Sequence, residues 1–550
     1  MDRTGGAPDR KAAGAYYTAA PLARALVAWA IEHGDNSVLD PAAGDGVFMA
    51  AAAERLTRLG ATRPQVIGVE LRPDAAAAAR ESLSGFGVPP ESVHSADFLA
   101  LEPGSLPLVD VVVGNPPFVR YQRLSRDQRS LAGRRSAAAG VALDALAGSW
   151  AGFVVHAGAF LRPGGRLAMV LPSEIGHARY AREVIAFLRN RFGAVRFVLF
   201  EAPLFPKLDQ GVVLLLASGY GRPNHSFEVA TVSSAADLTG LAREGLGALR
   251  FTAVDADALV AGRGRLHHAW LDPRARELLA WLKSSRQVSR LGQHARVMIG
   301  YVSAANDYFH LAPYEAVELD LGAVHLRRAL FRSRGLVGLE FTAEDWAAAA
   351  ENGEAGLLFA PADDLDPAVA AYLQHGEALG LPGRAKAKQR TPWWRVTRTA
   401  APDLILTAMI NDRPRLSVNA VQIAVSNTLH GVWRRSGSGA ASSASLAAAA
   451  SSSLTRLSAE LEGRPLGGGL LKLEPSAAQA LLLPLPATAN AAVEPVVWRA
   501  IDRRLRAGDT LGAAQAADAA YLSGIPGVGM DDVELLSAAA DRMRRVRRGN

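Results

Sequence analysis

Residues 111–121 read VVVGNPPFVRY, a β-branched run that halts at Asn115, two prolines and a ring. Proline locks φ and has no N–H, so Pro116 and Pro117 can neither continue a strand nor start a regular helix, and the Pro116 carbonyl is expected to point into a cleft. With the Asn115 side-chain oxygen it forms a pair of acceptors matched to the two N–H groups of an exocyclic amino group. Accepting both draws the nitrogen from planar towards tetrahedral and releases its lone pair. In-line attack on a sulfonium methyl then needs little beyond positioning, worth on the order of 7 to 11 kcal/mol in favourable cases. No general base is needed, because the alkylated, cationic product loses its proton readily. Phe118 is expected to stack on the base whose amino group reacts. In EAPLFPKLDQGVVLLLAS, Phe205 is a candidate for the opposite wall or for ordinary core. A base held in a duplex reaches such a pocket only by flipping out, at a cost of roughly a few kcal/mol.

The methyl donor needs its own site. VLDPAAGDGVFMAAA reads as a strand, a glycine turn and a helix start. Gly44 and Gly46 let the backbone pass close to a ligand, and Asp40 at the strand end can hold a polar or cationic group, although the same pattern also serves plain connectors. Thirty residues on, VIGVE ends in Glu70, placed to accept both hydroxyl hydrogens of a ribose. A dinucleotide fingerprint needs GxGxxG and room for a pyrophosphate, whereas AAGDG puts an acid inside the turn. A phosphate-free cationic nucleoside, S-adenosylmethionine, fits better. At the next strand end SADFLA supplies Asp97 for an adenine amino group and Phe98 for its face.

These residues need a frame. SVLD, QVIGVE, VDVVVG, GRLAMVLP, AVRFVLF and GVVLLLAS alternate with amphipathic stretches between about residues 20 and 220, which predicts a doubly wound α/β sheet with its ligands beyond the carboxyl ends of the strands. At 550 residues the chain should form two or three domains. Cysteine is absent, which excludes disulfides, thiolate metal sites and cysteine nucleophiles, and no metal set is expected. No apolar run approaches the roughly 18 residues of a membrane span and the N-terminus lacks a signal-peptide core, so a cytoplasmic protein is expected. The net charge of +7 is unevenly spread: Leu381–Ala440 holds ten Lys and Arg against Asp403 and Asp412, ten minus two giving +8. Such a run can be a solvated face, but Trp393, Trp394 and Trp433 lie among the cations, as on a nucleic-acid surface.

Taken in order, these motifs resemble the gamma-class, TaqI-like N6-adenine DNA methyltransferases. KAAGAYYTAAPLARALVAW resembles their N-terminal cofactor motif, VLDPAAGDGVF their first motif, GNPPFVRY their catalytic motif and LFPKLDQGVV their second base-stacking motif. The resemblance implies cofactor contacts at Tyr17, Thr18, Asp40, Ala42, Glu70, Asp97 and Phe98, with Asn115, Pro116 and Phe118 at the target adenine. Ala19 stands where the family usually has proline, and its glycine motif is variable at Ala42 and Ala43. VMIGYVSAANDYFHL, RTPWWRV, SVNAVQIAVSNTLHGVW and GRPLGGGLLKLEPSAAQALLLP resemble the family's target-recognition domain. Arg390 and Arg395 are the stronger DNA-contact candidates there; Trp393 and Trp394 can equally be buried anchors. Gly467–Gly469, flanked by Arg464 and Lys472, permit close approach to a phosphate backbone or form a tight hairpin.

The expected layout is a Rossmann-like class I S-adenosylmethionine-dependent catalytic domain over 1–245 and a linker over 246–285. A mixed α+β target-recognition domain follows over 286–490, with a helical segment over 491–550. The expected function is methylation of adenine N6 in double-stranded DNA by a monomer, as the modification component of a restriction-modification or related defence system. No N-terminal nuclease domain is expected, and whether a partner restriction nuclease or defence-system subunits accompany the chain is left open by the sequence. Two alternatives keep RNA or a protein amide as acceptor, or make the chain a catalytically silent DNA-specificity component.

Overall fold

A computed structural model describes residues 18–119, 123–144, 147–176, 178, 180–201, 211–232, 249–262, 264–397, 399–435, 441–486 and 494–548. Tyr17 and Phe205 lie outside the described residues. The chain divides into two compact units, one ending at Trp270 and the other running from Leu271 to Arg548.

The first unit is built on nine strands: β1 (Ser37–Asp40), β2 (Gln65–Glu70), β3 (Val93–Ser95), β4 (Val109–Gly114), β5 (Leu161–Pro172), β6 (Phe192–Phe200), β7 (Val212–Tyr220), β8 (Ser226–Val232) and β9 (Thr252–Asp255). Their spatial order is β3-β2-β1-β4-β5-β7-β6-β8-β9. From β3 to β5 every pairing is parallel, which puts the carboxyl ends of β1, β2 and β4 at one edge. β7 runs antiparallel to both β5 and β6. Only residues 201–211 separate β6 from β7, fewer than the dozen or more that a parallel crossover takes. Val109, Val111, Val112 and Val113 are fully buried, as a strand covered on both faces requires, and this is why the run is continuous rather than alternating.

Helices α1 (Ala20–Ala30), α2 (Val47–Arg58), α3 (Pro73–Leu83), α4 (Arg126–Ala138), α5 (Ser149–Ala157) and α6 (Ala181–Arg191) accompany the sheet. Proline in the first turn presets φ in α1 and α3. Ser125 and Gln128 close a capping box at the start of α4. All nine residues of α5 are buried, in keeping with its sequence SWAGFVVHA, apolar but for Ser149 and His156.

The second unit has several small cores. A five-stranded sheet orders Ala295–Ile299, Leu429–Arg434, Leu404–Thr407, Leu416–Asn419 and Glu340–Phe341, and a four-stranded sheet is centred on Ala355–Phe359 and Leu326–Leu330. The serine and alanine tract becomes two buried helices, Ser443–Ala449 and Ser453–Glu462. Helices Pro495–Arg506 and Thr510–Tyr521 place Ile501, Leu505, Ala513 and Ala517 in the same core as Leu404 and Val432, so the C-terminal helical segment is integral to this unit.

The described part of 246–285 is not a linker. Thr252–Asp255 is the edge strand of the first sheet and Pro273–Ser284 is a helix of the second unit, with Asp272 capping it. TAVD is only half-buried at alternate positions and carries no apolar run to announce it. Among the described residues no helix is long and apolar enough to cross a membrane.

Candidate functional site

Beyond the ends of β1, β2 and β4 lies a cavity of about 220 Å³. Thr18, Ala42, Gly44, Glu70, Asp97, Phe98 and Asn115 line it together, although they come from segments spread over 97 residues of sequence. The turn after β1 forms its floor. Ala42 N donates to Asp40 Oδ1 at 3.0 Å, Ala43 N to Val69 O at 3.0 Å, Gly44 N to Glu70 Oε2 at 2.9 Å and Gly46 N to Ala43 O at 2.8 Å. Arg72 N donates to the other Glu70 oxygen, Oε1, at 2.9 Å. The Glu70 carboxylate therefore organises the glycine turn as well as facing the cavity, a role the motif does not announce.

The two glycines differ in purpose. Gly44 has φ +56 and a Cβ there would meet nothing within 4 Å, so its space belongs to the cavity. Gly46, at φ +89, is not on the cavity wall: a Cβ would lie 2.4 Å from Ser82 Oγ and 2.9 Å from Ala79 Cα, so the absence of a side chain lets α2 pack against α3.

Asp40 is 1% exposed and lies behind the turn rather than on the cavity wall. Burial, reinforced by the nearby Glu70 and Asp45 charges against the Ala42 hydrogen bond, pushes its carboxyl up to about 7. Its Oδ2 is buried with no hydrogen-bond partner. Three carboxylates around one glycine turn make an environment that rejects phosphate and favours a cation.

Asn115 follows β4 directly, with its Nδ2 donating to Thr18 Oγ1 at 3.2 Å. Pro116 and Phe118 are buried behind the wall that Asn115 and Pro117 form. Phe118, 8% exposed and packed into the first unit's core, is not presented as an open platform, because the chain turns inwards after the two prolines. Phe98 also differs from a free stacking ring. It is 2% exposed and sits among Phe153, His156 and Phe160, with centroids 5.4, 4.9 and 5.3 Å away, so only part of it reaches the cavity. Asp97 caps the short helix that follows, its Oδ1 accepting from Leu99 N at 3.0 Å. Sequence reasoning missed Gln128 of α4 and Ser149 and Phe153 of α5, which complete the lining; nothing local in α4 or α5 marks them.

In the second unit the candidate DNA contacts separate. Arg390 is turned inwards: Nη1 donates to Ser303 O at 3.0 Å and Nη2 to Val302 O. Trp394 is buried, and Trp393 packs beside Tyr308 and Phe309, both as core anchors. Arg395 is exposed and paired with Asp363, its guanidinium 5.8 Å from the Trp394 ring. Arg464 and Lys472 face each other across an antiparallel hairpin with Gly467–Gly469 at its turn, and both approach Glu474, at 3.7 and 2.8 Å. The basic C-terminus is anchored too. Arg547 holds Glu460 through Nε and Nη2, each at 2.8 Å, and donates to Gly469 O and Asn411 O.

The sheet and its acid-lined cleft define a Rossmann-like methyltransferase domain. Residues 6–183 match the N-6 DNA methylase family, and residues 264–522 match the C-terminal domain of type II methyltransferase M.Eco57I. Residues 6–183 are thus an N-6 DNA methylase region, and the chain is a DNA N6-adenine methyltransferase. It is 24% identical over 493 residues to the type II methyltransferase M.XamI of Xanthomonas campestris pv. amaranthicola, covering 86% of this chain and 85% of that one. Among solved structures, it resembles the type IIL restriction-modification enzyme MmeI in complex with DNA with a TM-score of 0.53 and 12% identity, over 95% of this chain and 75% of that one. It also resembles the DrdV–DNA complex with a TM-score of 0.52 and 12% identity, over 90% of this chain and 57% of that one. These two likenesses are of fold.

Proposed function

We propose that the cavity binds S-adenosylmethionine and that Asn115 presents the N6 amino group of a flipped adenine in duplex DNA to it. The observation that carries this reading is the convergence of Asn115 with Asp40 and Glu70 at one end of three neighbouring parallel strands. The donor set suits the cofactor: Glu70 borders the cavity as a ribose acceptor, Asp97 as an adenine acceptor, and the buried, unpaired Asp40 Oδ2 beneath the turn favours a cation above it. When bound, the cofactor supplies a methyl carbon activated by a sulfonium and departs as a neutral thioether.

The protein's part is placement. Asn115 Oδ1 and the Pro116 carbonyl accept the two N6 hydrogens and direct the nitrogen lone pair at the methyl carbon. Glu70 and Asp97 would hold the cofactor, which would supply the activated methyl group; Asn115 and Pro116 would orient N6 towards it, and the proton that N6 then sheds would pass to water. Leu124 and Phe153, with the Phe98 ring edge, supply apolar wall, and Thr18 holds the Asn115 amide. Phe118 is the ring of this loop proposed to stack on the flipped base. The chain acts as the modification component of a restriction-modification system, in the cytoplasm. Its DNA surface is the second unit, where Arg395, Arg464 and Lys472 are exposed or half-exposed cations. Asn115→Ala tests the reading: methylation of duplex DNA with labelled cofactor should vanish while cofactor affinity by calorimetry stays within a few fold. Equal activity in variant and wild type overturns it.

A further inference from the structure

Two consecutive prolines remove two backbone donors from the segment 115–119, so a sheet ladder or helical turn cannot hold it and its carbonyls need an outside partner. That partner is Ser149, the first residue of α5, 4% exposed. Its hydroxyl donates to Pro117 O and accepts from Val119 N at 3.0 Å, and its own N–H donates to Val119 O at 3.0 Å. One residue thus makes three hydrogen bonds to the loop, from the first turn of a helix buried along its whole length. The space is shaped for it: a Cβ on the preceding Gly148 would lie 3.2 Å from Trp150 Cδ1 and 3.4 Å from Val119 O.

Asn115 is held separately, by Thr18. Among the described residues no hydrogen bond to the Pro116 carbonyl is seen. It belongs to the Pro116–Pro117 peptide, and the Pro117 ring, which locks φ, couples that peptide to the next one, whose Pro117 O Ser149 holds. We infer that Ser149 is a positioning residue for methyl transfer: it fixes the Pro-Pro turn so that the Pro116 carbonyl stays at the correct spacing from the Asn115 amide to accept the second amino hydrogen. This rests on the acceptor-pair reading of Asn115 and Pro116 given above.

The experiment compares Ser149→Ala, Ser149→Thr and Ser149→Cys in the full chain, on a duplex carrying the target site identified by sequencing methylated DNA. Single-turnover rate, DNA KM, cofactor affinity by calorimetry and extrusion of a 2-aminopurine at the target position are read together. Removing a hydroxyl that serves two buried backbone groups should slow transfer on the order of 10- to 100-fold. Cofactor affinity, DNA KM and 2-aminopurine fluorescence should stay within about threefold. Threonine, which keeps the hydroxyl, should recover most of the rate, and cysteine, a weak donor of similar size, should fall between. If Ser149→Ala does not fold, the threonine and cysteine variants carry the comparison alone. A wild-type rate in Ser149→Ala or Ser149→Cys, equal impairment of the threonine and cysteine variants, or a rate loss matched by lost cofactor affinity overturns the inference. An active Asn115→Ala overturns the underlying reading instead, so the two failures are distinct.

Discussion

Asp40→Asn should make the cofactor-free protein more stable at pH 8 and leave it unchanged near pH 4. Burial raises the Asp40 carboxyl from 3.8 to about 7. An acid whose folded pKa exceeds its unfolded one keeps its proton in the native state while the unfolded chain has already lost it. Its contribution is therefore fully present below about pH 4 and is lost as pH rises towards about 7. About three pH units at ~1.4 kcal/mol each give a ceiling of roughly 4 kcal/mol. The amide keeps the oxygen that accepts from Ala42 N and carries no charge. At roughly 2–4 °C per kcal/mol for a unit of this size, the first unit should melt up to about 16 °C higher in the variant at pH 8. Calorimetric melts of both proteins at pH 4.5, 6 and 8 without cofactor read this directly. Cofactor affinity at pH 8 should move the other way, falling in the variant. Binding to wild type near pH 7 should release a proton, visible as a buffer-dependent enthalpy. Parallel stability–pH curves for the two proteins would refute the reasoning, since the carboxylate would then carry no buried charge.

Gly46→Ala should cost on the order of 1–3 kcal/mol in thermal stability, because φ +89 strains any side chain and its Cβ strikes Ser82 and Ala79. Gly44→Ala bears only the φ strain and should lose less stability, with its main effect on cofactor affinity. Arg547→Ala leaves Glu460, 7% exposed, without its partner and should destabilise the second unit by about 3–5 kcal/mol in urea unfolding, a larger loss than for a solvated tail. Arg390→Ala should lower stability while leaving the salt dependence of DNA affinity unchanged, because the side chain ties residues 302 and 303. In contrast, removing exposed Lys386 or Lys388 should reduce the salt slope by about one each wherever that side chain meets phosphate.

The first unit was legible for a specific reason. VLD, VIGVE and VDVVVG are buried strands whose last polar residues mark where burial stops, and parallel pairing brings those ends to one edge. Asp40, Glu70 and Asn115 could therefore be placed from the chain alone. The reversal of β7 follows from the eleven residues before it, a length visible in the sequence that the apolar pattern did not convey. In the second unit, charge and aromatic content singled out residues 390–395 without saying which way they face. Arg390 and Trp394 turn inwards, whereas Arg395 lies on the surface.

The sequence by itself determined where the main strands of the first sheet fall along the chain, the position of the acidic glycine turn and the prolines that end β4, because each depends on neighbours within a few residues. Tertiary structure alone decided the rest: that Glu70 braces Gly44, that Thr18 reaches Asn115, that Ser149 grips the loop after Pro116 and that Phe118 is folded inwards. Periodicity reports which side of an element is buried. Which distant donor meets which carbonyl depends on how separate elements pack, and no local pattern encodes that.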